Sequence, residues 1–175
     1  MFTTFLHQLV PDSNFTILNT GGFRTQWYPG VVTFEQYYNM FPFDNTIATF
    51  TIKGSELTNS LNVIQSGKDL FATWGLQVSI NINGTGAKLV TSSSFSNGSP
   101  IDPNAIYKGV TIKYLLDGGD RMSKVIGYTY NATNVTVMGD FRSTMKSYLM
   151  GIGTARAGMF TDPLNPTIIL NYIWW

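Results

Sequence analysis

The sequence predicts an α+β fold of mixed sheets with flanking helices, and three observations carry that expectation. Amphipathic helical stretches and β-favouring runs are interleaved without regular βαβ spacing, which argues against a doubly wound sheet. No stretch repeats itself at a period of about 20 to 50 residues, which argues against a solenoid or propeller. The 175 residues, 43% of them hydrophobic, suffice to bury the core of one domain, taken here as residues 1–175.

The elements follow in chain order. Phe2, Phe5, Leu6 and Leu9 recur at helical spacing and predict an opening helix, on which His7 is a surface or packed residue. Pro11-Asp-Ser-Asn14 reads as a turn and Phe15 to Leu18 as a buried strand. Asn19-Thr-Gly-Gly-Phe-Arg24 then forms a glycine turn, with Gly21 and Gly22 free to adopt φ > 0. In Gly30-Val-Val-Thr33, Thr33 with Gln36 matches a capping box for a short helix from Phe34, which Pro42 ends. Thr46 to Lys53 alternates as a half-buried strand, and Ser55 is the expected N-cap of a helix bearing Leu57, Leu61 and Ile64, closed by Gly67. Leu76 to Ile82 and Lys88 to Val90 predict a hairpin turning at 83–86, followed by a loop over 92–99. The near-continuous run from Ile106 to Leu116 reads as a strand that stops at the second glycine turn, Asp117-Gly-Gly-Asp120. Phe141 to Met150 predicts a helix burying Met145, Tyr148 and Leu149, and the chain closes on an apolar, strand-like segment, 167–175.

Composition narrows the function. A formal net charge of +1, with 12% charged residues, leaves no basic field to hold a nucleic acid polymer. With no cysteine, disulfides, thiolate metal sites and cysteine nucleophiles are excluded; the lone histidine shows no partners for catalysis or metal ligation. No stretch approaches the ~18 apolar residues of a transmembrane segment, and no secretory leader is recognisable at Met1. The abundant Asn, Ser and Thr, and sequons at Asn14, Asn83, Asn97, Asn131 and Asn134, fit an extracellular or lumenal glycoprotein. The terminal Trp174 and Trp175 point to burial against this domain or a protein partner.

Chemistry concentrates in three segments, 19–24, 41–45 and 114–120. Together they offer an amide, an arginine, aromatic faces and a carboxylate. A nucleoside phosphate asks for this set: rings stack on a base, a carboxylate accepts from sugar hydroxyls, and arginine meets phosphate. Blander roles stand beside these: Asn19 capping its own turn, Arg24 solvated, Phe43 in the core, Tyr114 on a strand with a wet hydroxyl, Asp120 a turn carboxylate.

Five segments fall in one order: Asn19-Thr-Gly-Gly-Phe-Arg24, Gly30-Val-Val-Thr33, Pro42-Phe43-Asp44-Asn45, Gly54-Ser-Glu-Leu57 and Tyr114-Leu-Leu-Asp-Gly-Gly-Asp120. From about Phe15 to Asp120 the chain thereby resembles the C-terminal, substrate-binding domain of the 5′-nucleotidase family. The resemblance implies that Phe43 and Tyr114 clamp a nucleobase, with Tyr114 standing where the family pattern has Phe. It assigns Asp120 to ribose hydroxyls, Asn19 to the base and Arg24 to phosphate, and Gly22 of the glycine turn joins them as a substrate-binding residue. The ligand it implies is a nucleoside or nucleotide such as adenosine or AMP.

Arg121 departs from the pattern, which has glycine there, and the family's preceding Arg-bearing helix and N-terminal metallophosphoesterase domain are not in this sequence. Phosphate release in the family requires two divalent metal ions, held in that other domain; the chain has no cofactor site of its own. The expected function is recognition of base and ribose, with the phosphate presented to a separate dimetal domain, and no catalytic residue falls here. The alternatives are an inactive domain retained as a structural or interaction module in an assembly, and an independent lumenal nucleotide-binding module.

Overall fold

The computed structural model describes residues 2–27, 32–66, 71–82, 88–120 and 134–152. The closing of the second long helix at Gly67, the hairpin turn at 83–86, the sequons at Asn83 and Asn131, Arg121 and the apolar terminus lie outside the described residues.

The opening helix α1 spans Phe2–Leu9, and strand β1, Phe15–Asn19, is buried along its whole length. A 3-10 turn follows at Thr20–Gly22. Helix α2 is Phe34–Met40, strand β2 Thr46–Lys53 and helix α3 Gly54–Ser66. Strands β3, β4 and β5 cover Phe71–Trp74, Leu76–Ile82 and Lys88–Phe95. Strand β6, Ile106–Ile112, runs into a single helical turn α4, Lys113–Leu116. Strand β7, Thr136–Asp140, leads directly into helix α5, Phe141–Ile152.

Among the described residues five strands form one mixed sheet in the order β3-β1-β6-β2-β7, and β4 pairs with β5 in a separate two-stranded sheet. Strand β1 is parallel to β6 and antiparallel to β3, while β2 lies antiparallel between β6 and β7. An interior position explains why β2 does not show the predicted half-buried alternation: Ile47, Ala48, Thr49 and Phe50 are all buried, because both faces are covered at mid-strand. The α+β expectation of mixed sheets and flanking helices holds.

The core is largely aromatic. Phe5 meets Phe141 edge-on at 6.0 Å, joining α1 to α5, and Phe41 sits among Phe2, Phe23, Trp27, Tyr37 and Phe141. Met145 is fully buried, with Tyr148 and Leu149 packed beside it as the helical pattern predicted. His7 is a packed residue: its ring stacks on Trp74 at 3.5 Å and Nδ1 lies 3.1 Å from the Ser13 hydroxyl.

Four local expectations are corrected. The predicted loop at 92–99 is strand as far as Phe95, because Ser92, Ser93 and Ser94 pair with Ser79, Val78 and Gln77 of β4; pairing outweighs the weak intrinsic preference of serine. The predicted strand from Ile106 to Leu116 ends at Ile112 and turns helical. Ser55 does not cap α3. The helix starts at Gly54, whose N–H donates to the Ala105 carbonyl at 2.9 Å while the Ser55 N–H donates to Pro103 at 3.1 Å, so a neighbouring loop satisfies the helix end. Finally, neither Gly21 nor Gly22 has positive φ, because the segment closes as a right-handed 3-10 turn. The Thr33–Gln36 capping box is present with both of its hydrogen bonds.

Candidate functional site

The two chain segments that carry the site leave adjacent parallel strands at their C-terminal ends. Strand β1 delivers Asn19 and the 3-10 turn; β6, its parallel neighbour, delivers α4 and the 117–120 turn. Parallel pairing therefore brings together side chains 101 residues apart: the Asn19 amide donates to Asp120 Oδ2 at 2.5 Å. Asn19 is only 6% exposed and makes no side-chain capping bond to its own turn, so the capping role considered for it is not the one it takes.

Asp120 has φ of +48°, the left-handed region that Asp tolerates better than most residues but still at a cost of about 1–2 kcal/mol. Gly118, with φ of +97°, admits the turn before it. The Tyr114 hydroxyl holds Asp120 there, accepting from the Asp120 N–H at 3.2 Å and donating to Oδ1 at 3.0 Å. Gly119 lets the ring lie against the turn, since a Cβ at that position would run into the ring itself. Tyr114 thus stands on a helical turn, not at a strand end, and its hydroxyl is engaged with Asp120.

Beside Asn19 a shallow cleft, continuous with solvent, is lined by Leu18, Asn19, Gly22, Phe41, Phe43 and Asn45 among others. Phe43 is 47% exposed at its rim. The Arg24 guanidinium lies over the Phe43 ring, 5.6 Å from its centroid, and donates to the Gly21 carbonyl at 3.2 Å. Arg24 is exposed yet not loosely solvated, and it retains further donors for an anion. At Gly21 no heavy atom stands within 4 Å of where a Cβ would be, so the turn's backbone is accessible there.

All six residues singled out in the sequence, Asn19, Gly22, Arg24, Phe43, Tyr114 and Asp120, thus join one region with Asn19 as its hinge point. Two further residues belong to it. Asn45 lines the cleft; the Pro-Phe-Asp-Asn segment contained it, and only the fold distinguishes it. Arg142, on α5, ion-pairs with Asp44 and donates to the Phe41 carbonyl at 3.4 Å, while the Phe141 N–H donates to the Asn45 carbonyl at 2.8 Å. Together they pin the 41–45 loop that carries Phe43. Nothing in the sequence near Arg142 announced this, because the contact spans 98 residues.

Comparison with known proteins is decided by a family model: residues 8–128 match the 5′-nucleotidase C-terminal domain. The chain belongs to this family. The domain is 30% identical over 129 residues to the NAD 5′-nucleotidase of Haemophilus influenzae, covering 66% of this chain and 21% of that protein. It is 29% identical over 116 residues to Protein UshA of Yersinia enterocolitica, covering 65% and 20%. The 5′-nucleotidase C-terminal domain thus spans about a fifth of the length of these relatives. Among solved structures, a 5′-nucleotidase precursor from Thermus thermophilus superposes with a TM-score of 0.73 at 19% identity, over 89% of this chain and 32% of that one, a likeness of fold.

Among the described residues of this 5′-nucleotidase C-terminal domain no group of three or more His, Asp or Glu side chains stands together to hold a metal ion. The dimetal chemistry that the family resemblance implied finds no donor set in these residues. Nor does any helix among them have the length and apolarity to cross a membrane.

Proposed function

We propose that this domain binds a nucleoside or nucleotide, recognising base and ribose at the Asn19 region and presenting the phosphate to a separate catalytic domain. The observation that carries the reading is the Asn19–Asp120–Tyr114 hydrogen-bond network beside a cleft rimmed by Phe43. In this reading Phe43 and Tyr114 supply aromatic faces worth about 1–3 kcal/mol each by stacking on a base. Asp120 accepts from sugar hydroxyls, Asn19 holds the carboxylate in place and offers its remaining amide atoms to the base, and Arg24 meets the phosphate. In this reading residues 1–175 act as one recognition domain, and the two divalent metal ions are held by a separate catalytic domain.

The composition supports an extracellular or lumenal location. The acceptor residues Asn14, Asn97 and Asn134 are exposed, as glycosylation requires.

Calorimetry with adenosine and AMP tests the reading. The expected result is binding to the 175-residue chain that Phe43→Ala and Asp120→Ala each weaken at least tenfold. No binding by the unaltered chain at millimolar ligand would overturn it.

A further inference from the structure

The structure gives the Tyr114 hydroxyl two bonds to a single residue. It accepts from the Asp120 N–H and donates to Asp120 Oδ1. This closes a ring around Asp120 that locks both its left-handed backbone and the rotation of its carboxylate. The ring is itself anchored. Leu115, next to Tyr114, is 1% exposed, and Gly119 leaves the space the tyrosine ring fills.

The other carboxylate oxygen, Oδ2, accepts from Asn19, which is buried at the end of the fully buried strand β1. An ionised carboxylate has about four acceptor positions, two on each oxygen. Tyr114 takes one on Oδ1 and Asn19 one on Oδ2, leaving one acceptor position on each oxygen in a fixed plane. The two oxygens of one carboxylate can each accept one O–H donor of a vicinal cis-diol. A 2′-deoxy sugar brings one donor and leaves the second position unsatisfied, and a site built to hydrogen-bond a hydroxyl discriminates strongly against a ligand that lacks it.

We infer that Tyr114 is a positioning residue whose hydroxyl presets Asp120 to accept both hydroxyls of a ribose cis-diol, making the site selective for ribosides over deoxyribosides. The inference rests on the nucleoside-binding reading above and adds the hydroxyl's role to it. The stacking ring alone, which Phe would supply equally, gives no reason for riboside selectivity.

The test is calorimetric binding of adenosine, 2′-deoxyadenosine and 3′-deoxyadenosine to the 175-residue chain and to Tyr114→Phe. The unaltered chain should prefer adenosine to either deoxynucleoside by about tenfold, the worth of a hydrogen bond to a charged group. Tyr114→Phe should lose most of that preference by weakening adenosine more than 2′-deoxyadenosine, and an unchanged circular dichroism spectrum with a thermal midpoint within a few degrees of the unaltered chain's shows that the variant is folded. If the unaltered chain binds all three alike, the inference falls and nucleoside binding stands. If Tyr114→Phe weakens all three equally, the hydroxyl has only a structural role and the inference again falls. If the unaltered chain binds none, both readings fall. The comparison of the three ligands on the unaltered chain does not depend on the variant's folding.

Discussion

The Arg24 guanidinium lies over the Phe43 ring, 5.6 Å from its centroid, and the Arg24 N–H donates to the Met40 carbonyl at 3.1 Å. The 19–24 segment is therefore joined to the end of α2 through its backbone and to the loop after α2 through its side chain. An exposed cation–π pair contributes about 0.5–1 kcal/mol, too little to fix the arginine when an anion competes for it. Arg24→Met, which keeps an unbranched apolar stem and removes the charge, should weaken AMP binding about tenfold and adenosine binding no more than about threefold. Isothermal calorimetry measures both. Equal losses for the two ligands would place the phosphate elsewhere.

Gly54 begins α3 with its α-carbon pressed against the Asp102 backbone, so that a Cβ would overlap the Asp102 carbonyl and touch the Tyr107 ring. Helix propensity alone says that alanine should stabilise this position by about 1 kcal/mol. The packing says the opposite. Gly54→Ala must push the 102–105 loop away and break the bonds by which Ala105 and Pro103 satisfy the helix end, with an expected loss of about 2 kcal/mol or more. Denaturant unfolding distinguishes the two by the sign of the change alone.

Much of this was legible in the sequence where local rules govern. The Thr33–Gln36 box, the stripe of Met145, Tyr148 and Leu149, and the buried run from Phe15 are set by neighbours within a few residues, and each formed as expected. What escaped depends on distant partners. Strand β3 is a four-residue segment that exists through its pairing with β1, and β7, which contains Gly139, exists through its pairing with β2. The serines of β5 looked like loop until β4 supplied a partner. In the site, the motif order gathered Asn19, Phe43, Tyr114 and Asp120, yet which of them touch followed only from the parallel pairing of β1 with β6. Arg142 remained invisible for the same reason.

Gly119→Ala should uncouple binding from stability. The new methyl group meets the Tyr114 ring, which is 45% exposed and can swing outward instead of forcing the core apart. The thermal midpoint should therefore fall by only a few degrees, about 1 kcal/mol or less for a domain of this size. Displacing the ring removes its hydroxyl from Asp120, however, and adenosine affinity should drop about tenfold. A variant that keeps full affinity would show that the Tyr114–Asp120 bonds do not shape the site.

Tyr37 gives a pH signature at the other end of the aromatic cluster. It is 6% exposed, and its hydroxyl donates to the Arg142 carbonyl at the base of α5. Burial first, and then the nearby Asp140 carboxylate, push its pKa from 10.0 up to about 12. Unfolded chains release this proton near pH 10, whereas the folded protein keeps it until about pH 12, so within that window the native state binds more protons than the unfolded one. Stability contributed by the neutral phenol is then fully present below pH 10 and is lost as pH rises through 12. Tyr37→Phe removes both the bond and the titration. It should cost about 1 kcal/mol at neutral pH through the orphaned carbonyl. Urea unfolding of the two proteins from pH 9 upward should show their stabilities converging as the unaltered chain loses its advantage, and parallel curves would mean that Tyr37 ionises as freely in the folded state as in the unfolded one.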